Sequence, residues 1–212
     1  SGTFFAYEGL GSIYWHMVAK LLLAVQETLL RENDARPGGG TAARLAAAFR
    51  SIRNGLGFTR NAATYGAFPT DPYSHTPAGR GAQQPGMTGQ VKEEILTRMG
   101  ELGVRVRGGR IHFEPVLLAR SEFFGAPHDF RYDTPEGARE VWSLGAGTLA
   151  FTLFQTPVCY ELAREASITV ERACGGVARY RRSMLPEDES PGTIRRIGSI
   201  RRLRVAVPEA RF

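Results

Sequence analysis

Leu102-Gly103-Val104-Arg105-Val106-Arg107-Gly108-Gly109-Arg110-Ile111-His112-Phe113 divides the chain into two kinds of pattern. Val104 and Val106 alternate with Arg105 and Arg107, and Ile111 and Phe113 alternate with Arg110 and His112. Between the two runs stands Gly108-Gly109. Alternation on both sides of a Gly-Gly pair predicts a β-hairpin, because a two-residue hairpin turn needs positive φ at both central positions and glycine accepts it without a steric cost. Gly103 suits the left-handed position that closes a helix.

Upstream of this stretch the apolar period is helical. Ile13, Met17, Leu21, Val25 and Leu29 recur at four-residue intervals, Tyr14, Val18 and Leu22 widen the face, and Ser12 is placed to cap the helix. A helix apolar on most sides belongs inside a helical assembly. Pro37-Gly38-Gly39-Gly40 ends it. Thr41 is the expected cap of a second helix, with Ala42, Leu45, Phe49 and Ile52 inward and Gly55 near its end. Residues 54–87 have no period and carry Pro69, Pro72, Pro77 and Pro85; so long a stretch inside a compact domain is usually functional. A third helix is expected from Thr88-Gly89, with Val91, Ile95 and Met99 on one face.

Downstream the period is two. Leu149, Phe151 and Leu153, then Ile168 and Val170, then Leu203, Val205 and Val207 alternate with polar or small residues, and residues 184–193 read as a polar loop. The fold expected is α+β: a helical segment over 1–102 and an antiparallel β-sandwich over 103–212.

The chain has 212 residues, 42% hydrophobic and 23% charged, an ordinary balance for a folded domain. A net charge of +6 raises a polyanion as partner. All but Lys20 and Lys92 of the 27 basic residues are Arg, a bias that genome composition also produces. The late cluster of Arg179, Arg181, Arg182, Arg195, Arg196, Arg201, Arg202 and Arg204 reads as a solvated strand face and loop. The alternative, a nucleic-acid binder, carries a steep salt dependence. Cys159 and Cys174 are too few for a disulfide framework or a four-ligand zinc site; both are expected reduced and buried, in a cytoplasmic protein. The aliphatic run Leu21 to Val25 is too short to cross a membrane, no signal-peptide pattern is present, and the start Ser1-Gly2-Thr3 without Met is that of a trimmed chain or a fragment.

The junction Met87-Thr88-Gly89-Gln90-Val91 is a candidate anion site. A helix N-terminus offers unpaired N–H groups and a partial positive charge, Thr88 adds a hydroxyl, and Gly89 admits a ligand close to the backbone. An ordinary threonine cap is the alternative, and Glu93 and Glu94 would compete with an anion. His16, between Trp15 and Met17, is either a hydrogen-bonded core histidine or a functional one. Tyr73-Ser74-His75-Thr76-Pro77 is a polar cluster with an aromatic ring, suited to lining a sugar pocket or to turn formation. Glu8 and Asp71 are the carboxylates nearest these groups, and nothing pairs them as acid and base. The sequence has no metal-ligand spacing, no Walker-type phosphate loop and no nucleophile elbow.

On these residues the chain resembles the cellobiose and chitobiose phosphorylases, glycoside hydrolase family 94. Glu8-Gly9-Leu10-Gly11-Ser12-Ile13-Tyr14-Trp15-His16 is similar to the family's helix start that ends in His, and Met87-Thr88-Gly89 to its Thr-Gly phosphate loop. Leu102 to Val106 and Gly109 to Pro115 are similar to the run that opens its C-terminal β-domain. Gln90 stands where the family has a small residue, and Lys92-Glu93-Glu94 where it has apolar and aromatic ones. The likeness spans residues 6–118. It implies that residues 10–102 are the last helices of an (α/α)6, six-hairpin catalytic barrel. It also implies that phosphate lies near His16, Thr88 and Gly89; Tyr73 and His75, from the polar cluster, and Gln90 are the residues expected to contact substrate. The acid Asp and the phosphate-binding Arg of the family lie upstream of its motifs, so the resemblance assigns no catalytic residue here. The implied activity is glycosyl transfer to phosphate from an oligosaccharide. Inorganic phosphate is the co-substrate, with no cofactor or metal and no membrane or nucleic-acid partner. The chain alone is expected to be inactive, and its helices to pair with the rest of the barrel or with one another. A non-catalytic carbohydrate-binding or structural module is the alternative; its mark would be an exposed aromatic platform on the β-domain.

Overall fold

The structure, a computed structural model, describes residues 15–56 and 88–211. Its architecture is α+β, helices first and sheets after, in two compact units that divide between Arg98 and Met99.

In the first unit α1 (Trp15–Ala35) packs against α2 (Gly40–Leu56), and α3 (Thr88–Glu101) begins beyond residue 87. The buried stripe of α1 is Ala19, Leu22, Gln26 and Leu29, spaced three and four apart as one helical face requires. This corrects the face expected from four-residue spacing, since Met17 and Leu21 are 57% and 52% exposed. Strict four-residue steps drift around a helix of 3.6 residues per turn, and the stripe that is covered follows the mixed spacing. Gln26 sits in the middle of that stripe and is satisfied: its side-chain amide donates to the main-chain carbonyl of Thr97 in α3 at 2.7 Å.

The cap of α2 also differs from expectation. Ala43 N–H donates to the Gly39 carbonyl at 3.2 Å, so Gly39 takes the first helical bond and Thr41 lies exposed inside the first turn. Ala42 and Phe49 are buried. On α3, Thr97 is buried while Ile95 and Leu96 are exposed, so the Ile95 face is outward. Of the unperiodic stretch expected over 54–87, residues 54–56 are instead the end of α2, and 57–87, like the expected cap Ser12, lie outside the described residues.

The second unit opens at Gly103, whose φ of +68° ends the helical path. The hairpin follows as expected: β1 (Val104–Arg107) pairs antiparallel with β2 (Arg110–Phe113) across Gly108-Gly109, both at positive φ. A second hairpin joins β3 (His128–Asp133) to β4 (Arg139–Leu144). The main sheet has the order β5-β6-β9-β7-β8, with β5 (Thr148–Leu153), β6 (Thr156–Ala163), β7 (Ser167–Arg172), β8 (Val177–Tyr180) and β9 (Ile200–Pro208). This corrects the all-antiparallel arrangement expected: the sheet is mixed, because β6 and β9 run parallel while the other neighbours run antiparallel. The return of the chain to the middle of its own sheet makes that parallel pair, where consecutive hairpins alone would have kept every strand antiparallel.

Strand alternation gives the sheet two different faces. The inner row Leu149–Tyr160–Val205–Ile168–Tyr180 joins a core with Val104, Ile111, Phe113, Leu118, Phe123 and Leu185. The outer row is Ala150–Cys159–Arg204–Thr169–Arg179. Tyr132, Trp142 and Leu144 of the β3–β4 hairpin pack on Cys159 of this outer face. The sheet therefore lies between β1–β2 and β3–β4.

Residues 184–193 are not a free polar loop. Leu185, Glu189, Ser190 and Thr193 are buried, and Ser190 to Ile194 form a short helix, α4. Leu185 N–H donates to the Ile111 carbonyl, Ile111 N–H to the Ser190 hydroxyl, and Glu189 ion-pairs with Arg172. Polar side chains are buried here because each has a partner. Of the two cysteines, both free, Cys159 is buried and Cys174 is exposed in the turn after β7, which corrects the expectation for Cys174.

Candidate functional site

Of the candidate site residues read from the sequence, Tyr73 and His75 lie outside the described residues. His16 is the second residue of α1, and Thr88, Gly89 and Gln90 are the first three of α3; for these four only the helical backbone is described. Amides in a first helical turn have no carbonyl four residues back within the helix, so Thr88 to Gln90 occupy the positions whose N–H groups lack an intrahelical partner. Glu93, one turn on, is half-buried and one of its carboxylate oxygens is buried without a hydrogen-bond partner. That carboxylate opposes an anion at the same helix end.

The β unit holds a cleft of about 270 Å³, to which Tyr132, Glu136, Glu140, Gln155, Gly198 and Arg201 contribute. The β3–β4 turn brings Thr134 to Glu136, the β5–β6 turn brings Gln155, and the entry to β9 brings Gly198 to Arg201. The floor is organised by one carboxylate. The Tyr132 hydroxyl donates to Glu140 at 2.7 Å, Arg202 Nε donates to the Tyr132 oxygen at 3.1 Å, and the Arg201 and Arg202 guanidiniums lie 3.6 and 3.4 Å from Glu140. The hydrogen bond from Tyr132, and then the two arginines, hold the Glu140 carboxyl below its usual range. Burial, reinforced by the bond to Glu140, pushes the Tyr132 phenol up. The pair is thus a neutral donor on a fixed anion across ordinary pH.

Two backbone features meet at this cleft. Gly198 has φ +68°, and a Cβ there would come within 2.8 Å of Glu136 Oε1, so the carboxylate rests against bare backbone. Phe154 and Gln155 form the two-residue β5–β6 turn at φ 49° and 66°. Left-handed backbone costs a non-glycine residue about 1–2 kcal/mol, and an Asn-Gly pair would relieve most of it. The chain matches no protein-family model and no curated protein.

Behind the cleft, Arg202 and Arg204 are half-buried, which corrects the solvated face expected for them. Trp142, buried, receives both guanidiniums, at 5.0 and 4.8 Å from its ring centre, and Arg204 pairs with Glu161 and Glu171. Arg179, Arg181, Arg195, Arg196 and Arg201 are exposed, as a solvated cluster requires. Sequence reasoning did not single out Tyr132, Glu140 and Trp142. The signal was the alternation of Phe130, Tyr132 and then Trp142, Leu144 with charged or polar neighbours, which marks two strands with one buried face. Among the described residues no group of three or more His, Cys, Asp or Glu is placed to hold a metal ion, and no helix is long and apolar enough to cross a membrane.

Proposed function

We propose that the chain is the C-terminal portion of a carbohydrate-active enzyme of the glycoside-phosphorylase type. In this reading α1 to α3 belong to an (α/α)6 barrel, and the β unit is the sandwich domain that follows it. The observation that carries the proposal is the joint at Gly103. The resembling run Leu102 to Pro115 begins where α3 ends, turns through the Gly108-Gly109 hairpin, and returns so that Glu114 N–H donates to the Gly103 carbonyl at 2.8 Å. A Cβ on Gly103 would lie 2.1 Å from the backbone of Glu114 and Pro115. The glycine of the motif and its Glu-Pro end thus have one physical task, the close packing of a helix exit on a hairpin exit.

The reaction is phosphorolysis. A phosphate oxygen bonds to the anomeric carbon, the glycosidic C–O bond breaks, and an Asp outside this chain gives the leaving oxygen its proton. His16, Thr88 and Gly89 orient and neutralise the phosphate, and Tyr73, His75 and Gln90 contact the sugar. The partners are an oligosaccharide, phosphate and the remainder of the barrel, in a cytoplasmic setting. Calorimetric titration of the chain with phosphate tests this: binding in the millimolar range, about 4 kcal/mol, is expected, weakened in Thr88→Ala and His16→Ala. Binding unchanged in both variants overturns the assignment. Purified chain alone should release no sugar 1-phosphate from disaccharides, and a longer polypeptide carrying the acid Asp should. The carbohydrate-binding alternative asks for an aromatic platform. Among the described residues of the β unit the aromatic ring that is more than half exposed is Phe124, stacked on His128 at 4.0 Å, which is one ring and not a platform.

A further inference from the structure

We propose that the cleft between the β3–β4 turn, the β5–β6 turn and the entry to β9 is a second sugar site, one that takes a single neutral pyranose ring by its neighbouring hydroxyls. The inference extends the carbohydrate reading to the β unit and rests on that reading for the class of ligand; the site itself stands on different residues from the phosphate site. Size comes first. At about 270 Å³ the cleft falls just below the roughly 300–1,000 Å³ of sites for drug-sized molecules, so its occupant is one small ring.

Charge comes next. Glu136, Glu140 and Arg201 share the lining, and Glu140 is already compensated by Tyr132, Arg201 and Arg202. An anion such as a sugar phosphate would meet the Glu136 carboxylate, and the Arg201 guanidinium disfavours a cation. The remaining polar groups of the lining are of both kinds. The Gln155 amide and Arg201 donate, and Glu136 and the Gln155 carbonyl accept. A ligand that donates and accepts from adjacent atoms, without net charge, is a vicinal diol.

One residue of the lining, Gln155, departs from relaxed backbone geometry. Phe154 and Gln155 hold left-handed φ without being glycine, and Gly198 leaves room for Glu136 where any side chain would displace it. Strained residues persist where the surrounding structure over-determines them, and they concentrate at binding sites. The β5–β6 turn sets Gln155 at the rim, and the packing of the β3–β4 hairpin on Cys159 brings Glu136 to the same cleft, against Gly198.

The test uses the whole chain, with backbone amide NMR and titration by the methyl pyranosides of glucose, galactose and xylose, against glucose 6-phosphate. Saturable shifts at Gln155 and Arg201 are expected for at least one neutral pyranoside, in the millimolar range, weakened about tenfold or more by Gln155→Ala and by Arg201→Ala. Both side chains are exposed, so both variants keep the fold, which a thermal melt verifies. Gln155→Gly separates strain from function: it raises the melting midpoint and still loses sugar binding. The proposal is overturned if no neutral pyranoside moves these amides, if glucose 6-phosphate binds more tightly than the methyl glucoside, or if sugar binding survives in Gln155→Gly. Phosphate titration at Thr88 in the same sample keeps the two readings apart. Phosphate binding without sugar binding sinks the cleft alone, and sugar binding without phosphate binding sinks the phosphorylase reading alone.

Discussion

Arg204 stands between Cys159 and Thr169 in the row that crosses the outer face of the sheet, paired with Glu161 and Glu171 and stacked on Trp142. A guanidinium does all three because it is planar: its edge meets carboxylates while its face lies on the indole. Trp142→Ala removes both the ring under two cations and the centre of the hairpin's apolar contact, and a loss of about 3–5 kcal/mol is expected in urea denaturation. Arg204→Lys keeps the charge and loses the fork, and its denaturation midpoint should fall below that of the wild type. Next to Arg204, burial pushes the Cys159 thiol up to about 12, so it is neutral and inert at ordinary pH, whereas Cys174 is exposed. A thiol-specific chromogenic reagent should therefore titrate one group in the native chain, abolished in Cys174→Ser, and a second only on unfolding. Glu140 and Tyr132 set a pH window. Glu140 is depressed below 4.5, so its contribution to stability is complete above 4.5 and lost as pH falls through the folded value; Tyr132 is raised above 10.0, so its contribution is complete below 10.0 and lost as pH rises. Glu140→Gln should flatten the acid limb of the melting-temperature profile, and Tyr132→Phe the alkaline limb.

At the scale of single elements the glycines differ sharply. Gly103 and Gly109 both have positive φ, but a Cβ on Gly109 meets open space and one on Gly103 meets the backbone of Glu114 and Pro115. Gly109→Ala should cost about 1–2 kcal/mol, the left-handed penalty alone. Gly103→Ala should cost several times more or prevent folding, read as the difference in midpoint between the two variants. The β1–β2 hairpin, β5, β7 and β9 were legible in the sequence because each buries one face, and Val104, Leu149, Ile168 and Leu203 mark that face at every second position. β6 was not, because residues 156–160 are buried on both faces and show no alternation. Alternation also reports that Arg202 and Arg204 share a face without reporting what covers it, so the clamp on Trp142 was hidden. The segment around Ser190 was misread because hydrogen bonding, not apolarity, buries it. Of the cleft, Arg201 alone stood out in the sequence, as one of a basic cluster; Glu136, Glu140 and Gln155 come from turns and strands far apart in the chain, and no local pattern joins them.

For the whole molecule, the exposed apolar residues of the helical unit bear on how it behaves in solution. Met17 and Leu21 on α1, and Ile95 and Leu96 on α3, are more than half exposed and leave apolar surface available for contact with another chain. The chain by itself should therefore self-associate as concentration rises, and a Met17→Ser, Leu21→Ser double variant should shift light scattering toward the monomer; scattering unchanged from the wild type would show that α1 plays no part. The position of β9 has a consequence of another kind. It pairs with β6 on one side and β7 on the other, yet it is the last of these three strands to be synthesised. A chain in which β5 has paired with β6 and β7 with β8, but β9 has not yet inserted, is two half-sheets, each with an open edge and an uncovered row of Val158 and Tyr160 or Ile168 and Val170. Until β9 inserts between them, these half-sheets offer two adhesive edges to any neighbouring polypeptide. Insertion of β9 is therefore the step at which aggregation competes with folding.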